Sequence, residues 1–415
     1  MDIASNEDIK IDFNKVTELG NRLLTELDEV RESGPIIWAP SINGWVVTRH
    51  EDILQAFSGS FPLSVERYSN ISFGMDSVEE FAATLPMTAN SVPHWIVNMD
   101  GSRHARLRRL LMRAFSRKVV EDVRPLAQAT IKSVLDGLPV GSDIEFVDQI
   151  ARAITGRVIL RFFGLPEAHL ANLKTWALEM GLSFAAARPP MDMMLAGEKS
   201  LRDMSAVFLP EIAARKKHPS DDFLTQLVQA QDGEDRLTDE EVMGICYVSL
   251  IAGHDTTMNS MSLGVDLLRR HPDQIQYLLE HPEATLNSVM EVTRLSAMST
   301  AQVRIVTADF EWHGKQLHRG DLVLLAVAAG NRDPRVFANP LELDLSRRAD
   351  RVMTFGPGIH HCIGHLLAKM QLSEFFPAFF TRFDIEVLDK SMSFTPTLAF
   401  RGLDTLNIRV SPKQH

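Results

Sequence analysis

The sequence is poor in cysteine. Among 415 residues only Cys246 and Cys362 occur, too few for the disulfide framework that small secreted domains carry. Two isolated thiols fit a reducing compartment. Segment 1–15 also lacks a basic region followed by an apolar one, so the sequence predicts no secretory signal. We therefore expect a cytoplasmic protein.

Long apolar runs are missing as well. The longest, residues 242–253, contains Tyr247 and Ser249 and falls well short of the roughly 20 apolar residues that span a bilayer. This run predicts a buried helix and no membrane contact.

Basic residues are outnumbered. The chain has 43 Lys and Arg against 54 Asp and Glu, a formal net charge of −11. Non-specific binding to phosphate backbones needs a basic field. The charge balance therefore argues against a nucleic-acid partner.

Repeats, low-complexity blocks and Gly/Ser linkers are absent, which predicts one continuous domain over residues 1–415. Apolar residues recur at helical spacing through most of the chain. Such segments are 102–115, 120–138, 150–163, 169–180, 201–216, 283–295 and 363–376. Alternating or β-branched runs are few and occur at 44–48, 303–306, 320–325, 385–387 and 405–410. The pattern predicts an α+β fold, mostly α, in which strands from both ends of the chain pair in a small sheet.

One long helix carries stronger local evidence. Residues 238–241 read Thr-Asp-Glu-Glu, a capping box with Thr238 as N-cap and Glu241 three residues later. No proline follows until Pro272. The sequence predicts a helix from about residue 239 to about residue 270, roughly 48 Å long at 1.5 Å per residue.

Cys362 ends a loop that cannot be regular helix. Residues 355–362 read Phe-Gly-Pro-Gly-Ile-His-His-Cys, and helical spacing follows at once. A cysteine at a helix N-terminus favours the thiolate, which is a nucleophile or a metal ligand. Several interpretations stay open at this point: a buried apolar residue, a catalytic Cys–His pair, or a zinc site that would also use His360, His361 and His365.

The loop and four other stretches resemble one family. Residues 355–369 are similar to the haem-binding loop of the cytochrome P-450 monooxygenases. The other four stretches resemble further motifs of that family and follow one another in the same order. They are 100–108, 252–257 (Ala-Gly-His-Asp-Thr-Thr), 291–294 (Glu-Val-Thr-Arg) and 331–334 (Asn-Arg-Asp-Pro). The resemblance covers nearly the whole chain. It implies the cytochrome P-450 fold, a large helical part with a long central helix and small β-sheets.

The resemblance also implies roles for individual residues. Cys362 would be the axial thiolate of haem b, iron protoporphyrin IX. Thr256 would hydrogen-bond dioxygen, and Asp255 would relay protons. Glu291 and Arg294 would form a structural network completed by Arg335 or Arg347, between which the sequence does not choose. The other residues expected to contact the haem are His104, Arg108, Ala252, Gly253, Arg304, Phe355, Gly356, His360 and Gly364.

Residues 303–324 resemble most closely the bacterial, ferredoxin-dependent, camphor-hydroxylase-like branch. No reductase domain is fused to the chain, so this branch implies a separate ferredoxin and an NAD(P)H-dependent reductase. A basic cluster near the expected docking face would attract an acidic donor. It consists of Arg109, Arg113, Arg117 and Lys118.

Family position also implies a substrate pocket formed by segments 88–97 and 178–194 and by single residues. The single residues are Val92, Val248, Ile251, Ala252, Thr300, Gln302, Ala399 and Phe400. Because most of these are apolar, and because Met191, Met193 and Met194 suggest a mobile methionine-rich lid, we expect a small to medium apolar substrate.

The expected reaction is hydroxylation with one oxygen atom of O₂. Two alternatives are a haem-thiolate isomerase, dehydratase or peroxygenase and a non-catalytic haem-binding sensor. The presence of Asp255 and Thr256 favours the oxygenase, because the first alternative does not require proton delivery to dioxygen.

Overall fold

The structure is a computed structural model that describes Ile9 and residues 11–66, 77–185 and 189–413. Within these residues, no helix is both long enough and apolar enough to cross a bilayer. The contacts divide the chain into two compact units. Unit one contains the described residues up to Val65, Ser262–Cys362 and Asp389–Thr405. Unit two contains the described residues of Glu66–Met261, Ile363–Leu388 and those from Leu406 onward.

Helices account for most of the regular structure. They are α1 (Val16–Leu19), α2 (Arg22–Ser33), α3 (His50–Phe57), α4 (Val78–Thr84), α5 (Pro86–Ser91), α6 (Gly101–Ala114), α7 (Arg117–Asp136), α8 (Ala153–Phe162), α9 (Leu170–Ala185), α10 (Met191–Lys217), α11 (Phe223–Val228), α12 (Asp239–Leu268), α13 (Pro272–Glu280), α14 (Thr285–Ser296), α15 (Val327–Gly330) and α16 (His365–Arg382). A π-helical stretch, Val147–Arg152, leads into α8, and short 3₁₀ turns occur at Phe13–Lys15, Pro40–Ile42, Val92–His94, Ile96–Asn98, Glu167–His169 and Pro282–Ala284.

The strands are short. They are β1 (Ile36–Ala39), β2 (Gly44–Val47), β3 (Leu63–Ser64), β4 (Asp143–Glu145), β5 (Gln231–Asp232), β6 (Asp235–Arg236), β7 (Gln302–Val306), β8 (Phe310–Trp312), β9 (Lys315–Leu317), β10 (Leu322–Leu325), β11 (Phe383–Val387) and β12 (Asn407–Pro412).

Unit one is built on a five-stranded sheet in the order β1-β2-β10-β7-β3. β10 runs parallel to β2 and antiparallel to β7, with Leu324 opposite Val46 and Val303. Apolar side chains such as Val46, Val323 and Leu325 are fully buried there. The sheet therefore holds β7, which carries Arg304, between two hydrogen-bonded neighbours.

Unit two is mostly helical. A large apolar cluster joins α6, α7, α8, α9, α10, α11, the first part of α12 and the start of α16. Its small sheet has the order β11-β12-β4. Phenylalanines of α16, including Phe375 and Phe379, pack against Phe146, which follows β4. This core fixes the helices that carry His104, Arg108 and Asp255.

Most of the predicted helices are confirmed to within a few residues. The capping box is confirmed as well: the Thr238 N–H donates to Glu241 Oε2 at 2.9 Å, and the Glu241 N–H donates to Thr238 Oγ1 at 3.3 Å. The expectation of one sheet from both ends of the chain is wrong in part. β2 does pair with β10, but β11 and β12 pair with each other and with β4 in a separate sheet. The single-domain assignment of residues 1–415 stays a prediction.

Candidate active site

The loop before Cys362 is shaped by glycines. Gly356 and Gly358 have φ of 66° and 83°, which side chains rarely tolerate. A Cβ at Gly358 would also lie 2.5 Å from the backbone oxygen of Phe57. The Cys362 N–H donates to the Phe355 oxygen at 2.8 Å. These constraints close the loop on itself and leave Cys362 exposed.

The helix after this loop starts later than predicted. The sequence placed its first residue at 363, directly after Cys362, whereas α16 begins at His365 with Gly364 as N-cap. Cys362 thus precedes the first helical turn. The dipole at the helix N-terminus contributes less to its thiolate than the sequence argument assumed, since that effect falls off within one turn.

Arg304 lies close to the same loop. Its guanidinium stacks 5.0 Å from the centroid of the Phe57 ring, and the backbone oxygen of Phe57 packs against Gly358. Arg304 is buried in β7. Arg304, which is predicted to contact the haem, therefore lies close to the cysteine loop, because both contact Phe57.

A largely buried ion-pair network connects α14 to the chain that leads into the loop. Arg294 on α14 donates from Nε and Nη2 to both oxygens of Glu291, at 2.7 and 2.8 Å. Arg347 donates from Nε to Glu291 Oε1 at 3.0 Å, whereas Arg335 pairs with Glu32 and Asp333. Arg347 is therefore the third member, which settles the choice that the sequence left open.

The network also holds the backbone that leads to Cys362. Arg294 Nη1 donates to the Asn331 and Pro340 oxygens. The side chain of Asn331 receives the Met353 N–H and donates to Thr354 Oγ1. Thr354 lies directly before Phe355, so α14 positions the entry to the cysteine loop.

The oxygen-activating segment predicted for α12 has an unusual exposure pattern. Ala252 is exposed and Asp255 and Thr256 are half-buried, whereas Leu250 and His254 are fully buried. Thr256 Oγ1 donates to the Ala252 oxygen at 2.6 Å. The hydroxyl and the carboxylate thus occupy an accessible stretch in the middle of an otherwise buried helix.

His254 contacts the Asp255 carboxylate. Its Nδ1 lies 2.9 Å from Asp255 Oδ1. The His254 side chain has no exposed surface, while that of Asp255 is 28% exposed. The motif gave His254 no role of its own. Nothing in the sequence alone showed that its ring would contact the carboxylate of the next residue.

The α6 helix carries His104 and Arg108 one turn apart, as predicted, and His104 is buried. Other arginines of this helix contact the β5–β6 hairpin. Arg106 pairs with Asp235 and Glu241, Arg109 with Asp232 and Asp235, and Arg113 with Asp232. The predicted basic cluster is therefore partly neutralised from within. Residues 231–236 read Gln-Asp-Gly-Glu-Asp-Arg, so the acidic turn was visible in the sequence, but its distant partner was not.

The predicted substrate-contacting residues of unit one lie in two adjacent segments. The Thr300 N–H donates to the Ala399 oxygen at 3.0 Å, and Ser299 forms a β-bridge with Phe400. Thr300 is almost fully buried and Gln302, at the start of β7, is half-buried. The structure therefore brings Thr300, Ala399 and Phe400 together.

In unit two, Val92 is buried in the large apolar cluster, and Val248 and Ile251 pack against it. Phe184 contacts Trp95 edge to face, with ring centroids 4.6 Å apart. The segment 88–97 is mostly helical turns rather than an open loop. Residues 186–188 of the predicted lid lie outside the described part of the chain.

The predicted lid methionines belong to α10. Met194 is buried against Leu85, while Met191 is exposed. Glu198, one turn further along α10, is buried and accepts hydrogen bonds from the Met87 and Thr88 N–H groups and from Thr88 Oγ1, each at 2.8 Å. This link between α10 and α5 was not found from the sequence, because a lone glutamate in a helix normally predicts a solvated face.

Comparison with known proteins identifies the family. A family model described as Cytochrome P450 matches residues 197–400. Nocardicin C N-oxygenase of Nocardia uniformis subsp. tsuyamanensis is 30% identical over 343 residues, 82% of each chain. Vitamin D(3) 25-hydroxylase of Pseudonocardia autotrophica is 30% identical over 330 residues, 79% of this chain and 77% of the relative. The chain belongs to the cytochrome P450 family. The fold agrees: cytochrome P450 CYP109Q5 from Chondromyces apiculatus superposes with a TM-score of 0.84 at 23% identity, over 98% of this chain and 99% of that one.

As a cytochrome P450, the protein is a haem-binding monooxygenase. The donor set of the described residues fits a haem, which brings four nitrogen ligands of its own and needs only one axial ligand from the protein. Within these residues, no group of three or more His, Cys, Asp or Glu side chains is arranged to hold a bare metal ion.

Proposed function

We propose that this cytochrome P450 inserts one oxygen atom of O₂ into a C–H bond of a small to medium apolar molecule, in the cytoplasm. Electrons would come from a ferredoxin and its NAD(P)H-dependent reductase, as in the camphor-hydroxylase-like branch. The observation that carries the proposal is the accessible Ala252, Asp255 and Thr256 stretch in the buried α12. Asp255 and Thr256 are half-buried on a helix whose neighbouring residues are mostly apolar, and even partial burial of a carboxylate and a hydroxyl costs free energy.

The haem, when bound, supplies the activation of dioxygen, and the chain supplies the ligand and the protons. Cys362 would be the thiolate ligand, held by the glycine-shaped loop and by the hydrogen bond from its own N–H. Asp255 would take protons from solvent, to which it is partly open. Thr256 would present its hydroxyl to the oxygen-binding side and keep the proton path ordered.

Buried cations would hold the two haem carboxylates. Arg304 and His104 are buried, and an unpaired carboxylate in such surroundings would be costly. Arg108 and His360 would complete this set. Phe355, Gly356 and Gly364 would line the ligand side, and Ala252 and Gly253 the oxygen side.

The proposed substrate is apolar because most of the side chains expected to contact it are apolar. These side chains include Val92, Val248, Ile251, Ala399 and Phe400, all of which are apolar. Only Thr300 and Gln302 bring polar groups to this set. Such a lining favours a substrate that is recognised mainly by shape and that carries few hydrogen-bonding groups.

The experiment that tests the proposal is Thr256→Ala in the reconstituted system with ferredoxin, reductase and NADH. The change removes a hydroxyl but neither the proposed haem ligand nor much apolar surface, so substrate affinity should be retained. We expect NADH consumption to continue while product per NADH falls by about tenfold or more, the order of one general acid–base contribution. Hydrogen peroxide should account for the difference.

The companion variant is Asp255→Asn, which should slow turnover as a whole because proton supply becomes limiting. Unchanged product per NADH in Thr256→Ala would reject the oxygenase role of this segment. It would favour the isomerase, dehydratase or peroxygenase alternative, which does not need electrons from a ferredoxin.

A further inference from the structure

His254 is a buried polar residue that the proposed function does not use. Its side chain is fully buried on α12 and lies beside Gly156 of α8, where a Cβ would be in ordinary contact with the ring, 3.6 Å from His254 Cδ2. Within the described residues, its Nε2 has no hydrogen-bond partner. Leaving a buried nitrogen without a partner is destabilising, because the group loses its hydrogen bonds to water and gains none in the protein. Leucine or methionine would fill a similar volume without that cost.

The other ring nitrogen explains what the histidine does. Nδ1 lies 2.9 Å from Asp255 Oδ1. An ionised carboxylate can only accept hydrogen bonds, so Nδ1 carries the hydrogen in this contact. The bond comes from a ring that is locked in the core of unit two, whereas its acceptor is 28% exposed.

We propose that His254 is a positioning residue for Asp255, which rests on the proposed role of Asp255 in proton delivery. The Nδ1–H holds Oδ1, so that Oδ2 is the oxygen that exchanges protons. Oδ2 takes up one proton from solvent and then passes it on, so that the carboxylate returns to its ionised form. Without the histidine, the carboxylate would rotate about its side-chain torsions and spend less time aligned with the proton path.

Three variants test this. His254→Leu removes the donor and keeps an apolar side chain in the core. His254→Asn retains a donor, because its Nδ2 stands at the same distance from Cβ as the ring Nδ1. Thr155→Val is the control, because it removes another fully buried hydroxyl, next to Gly156 on α8, that donates to the Ala151 oxygen of its own helical segment.

We expect His254→Leu to slow turnover by roughly tenfold, as for the loss of one hydrogen bond to a charged group. His254→Asn should recover most of that rate, and Thr155→Val should match the wild type. In an Asp255→Asn background His254→Leu should have little further effect, because the two residues act as one unit. Additive losses, or no recovery in His254→Asn, would overturn the proposal in favour of a packing role.

A second readout does not depend on turnover. Nitrogen NMR of histidine-labelled holoprotein in its diamagnetic, reduced, carbon-monoxide-bound form should show a signal that is lost in His254→Leu and that has its hydrogen on Nδ1. Hydrogen on Nε2 alone would overturn the proposal.

Different results would reject the proton role of Asp255 and the positioning role of His254. If Asp255→Asn does not slow turnover, the proposed proton role of Asp255 fails. If Asp255→Asn slows turnover and His254→Leu does not, only the positioning role is wrong.

Discussion

Single residues decide how the cysteine loop is held. Glu291 and Arg294 have no exposed surface, and their three-way contact with Arg347 is completed by backbone oxygens from residues 331, 340 and 342. Breaking a buried pair leaves an uncompensated charge in the interior. The network is therefore expected to act through stability rather than through chemistry.

Arg294→Leu should lower the free energy of unfolding by about 3–5 kcal/mol, because Glu291 would lose its main partner. Arg348→Leu is the matched control, since Arg348 pairs with Asp350 and both side chains are exposed. It should cost about 0–1 kcal/mol. Urea denaturation of the two variants measures the difference, and similar losses would show that the buried Glu291–Arg294 pair contributes no more to stability than an exposed pair.

Cys362→Ser tests the ligand. A serine has nearly the same size but a poor donor oxygen, so the reduced protein with carbon monoxide should lose the red-shifted band of thiolate-bound haem. Monooxygenase activity should disappear with it. Cys246→Ser serves as the control, because Cys246 is buried and its burial raises the pKa of the thiol, which keeps it protonated. A persistent band in Cys362→Ser would show that another residue is the ligand.

At the scale of elements, the β5–β6 hairpin changes what the basic cluster can do. Asp232 and Asp235 form ion pairs with Arg109 and Arg113 on α6. An acidic donor would have to compete with these carboxylates for the same guanidinium groups. Arg117, the remaining arginine of the basic cluster, is exposed on the first turn of α7.

Neutralising the hairpin should therefore strengthen docking. In Asp232→Asn/Asp235→Asn, reduction by an acidic ferredoxin should speed up several-fold at low salt, with a steeper dependence on ionic strength, because rim charges act mainly on the association rate. Glu234→Gln changes the charge of the same hairpin but not an ion pair of these arginines, and it should have a smaller effect. Stopped-flow reduction measures both, and equal rates in all three proteins would place the docking surface elsewhere.

The hairpin also shows which contacts could not be predicted from the sequence. Local signals such as the capping box at Thr238, the glycines before Cys362 and the spacing of His104 and Arg108 predicted their elements correctly, because each depends on residues within a few positions. The contacts of Arg109 with Asp232, and of Glu198 with Thr88, join residues more than a hundred positions apart. No periodicity encodes such pairs.

The same reason explains the sheet. Strand-forming runs were found near residues 44, 303, 322, 385 and 407, but their order depends on which backbones meet in space. β2 pairs with β10, and β12 pairs with β4, each across more than half of the sequence. Choosing between Arg335 and Arg347 failed from the sequence for a similar reason, since both follow α14 at plausible distances.

At the scale of the whole molecule, the acidic composition sets the response to low pH. A hydrogen bond from Arg335 lowers the pKa of Glu32 from 4.5 to about 2. Burial would raise the pKa of Asp333, but hydrogen bonds from the Arg335 and His50 N–H groups outweigh it and lower that pKa. A carboxylate with a lowered pKa in the folded state stabilises the fold above its unfolded pKa and loses this contribution as the pH falls.

We therefore expect the free energy of unfolding to be level near neutral pH and to fall between about pH 4.5 and pH 2. Glu32→Gln should flatten part of that fall, by a small amount because the ion pair is solvent-screened. Urea titrations at a series of pH values measure the slope. A stability that rises on acidification would contradict the sign argued here.

The hydroxyl of Thr256 has one hydrogen, and in this structure it is given to the oxygen of Ala252. The same hydrogen cannot be offered to a second acceptor at the same time. Before the side chain can donate to a reacting molecule, its hydroxyl must turn about the Cβ–Oγ1 bond, or the whole side chain about Cα–Cβ, and release the Ala252 carbonyl; side-chain rotation takes picoseconds to nanoseconds when the side chain moves freely. Each turnover would then include a small switch of partners, and the helix would recapture the hydroxyl whenever the site is idle.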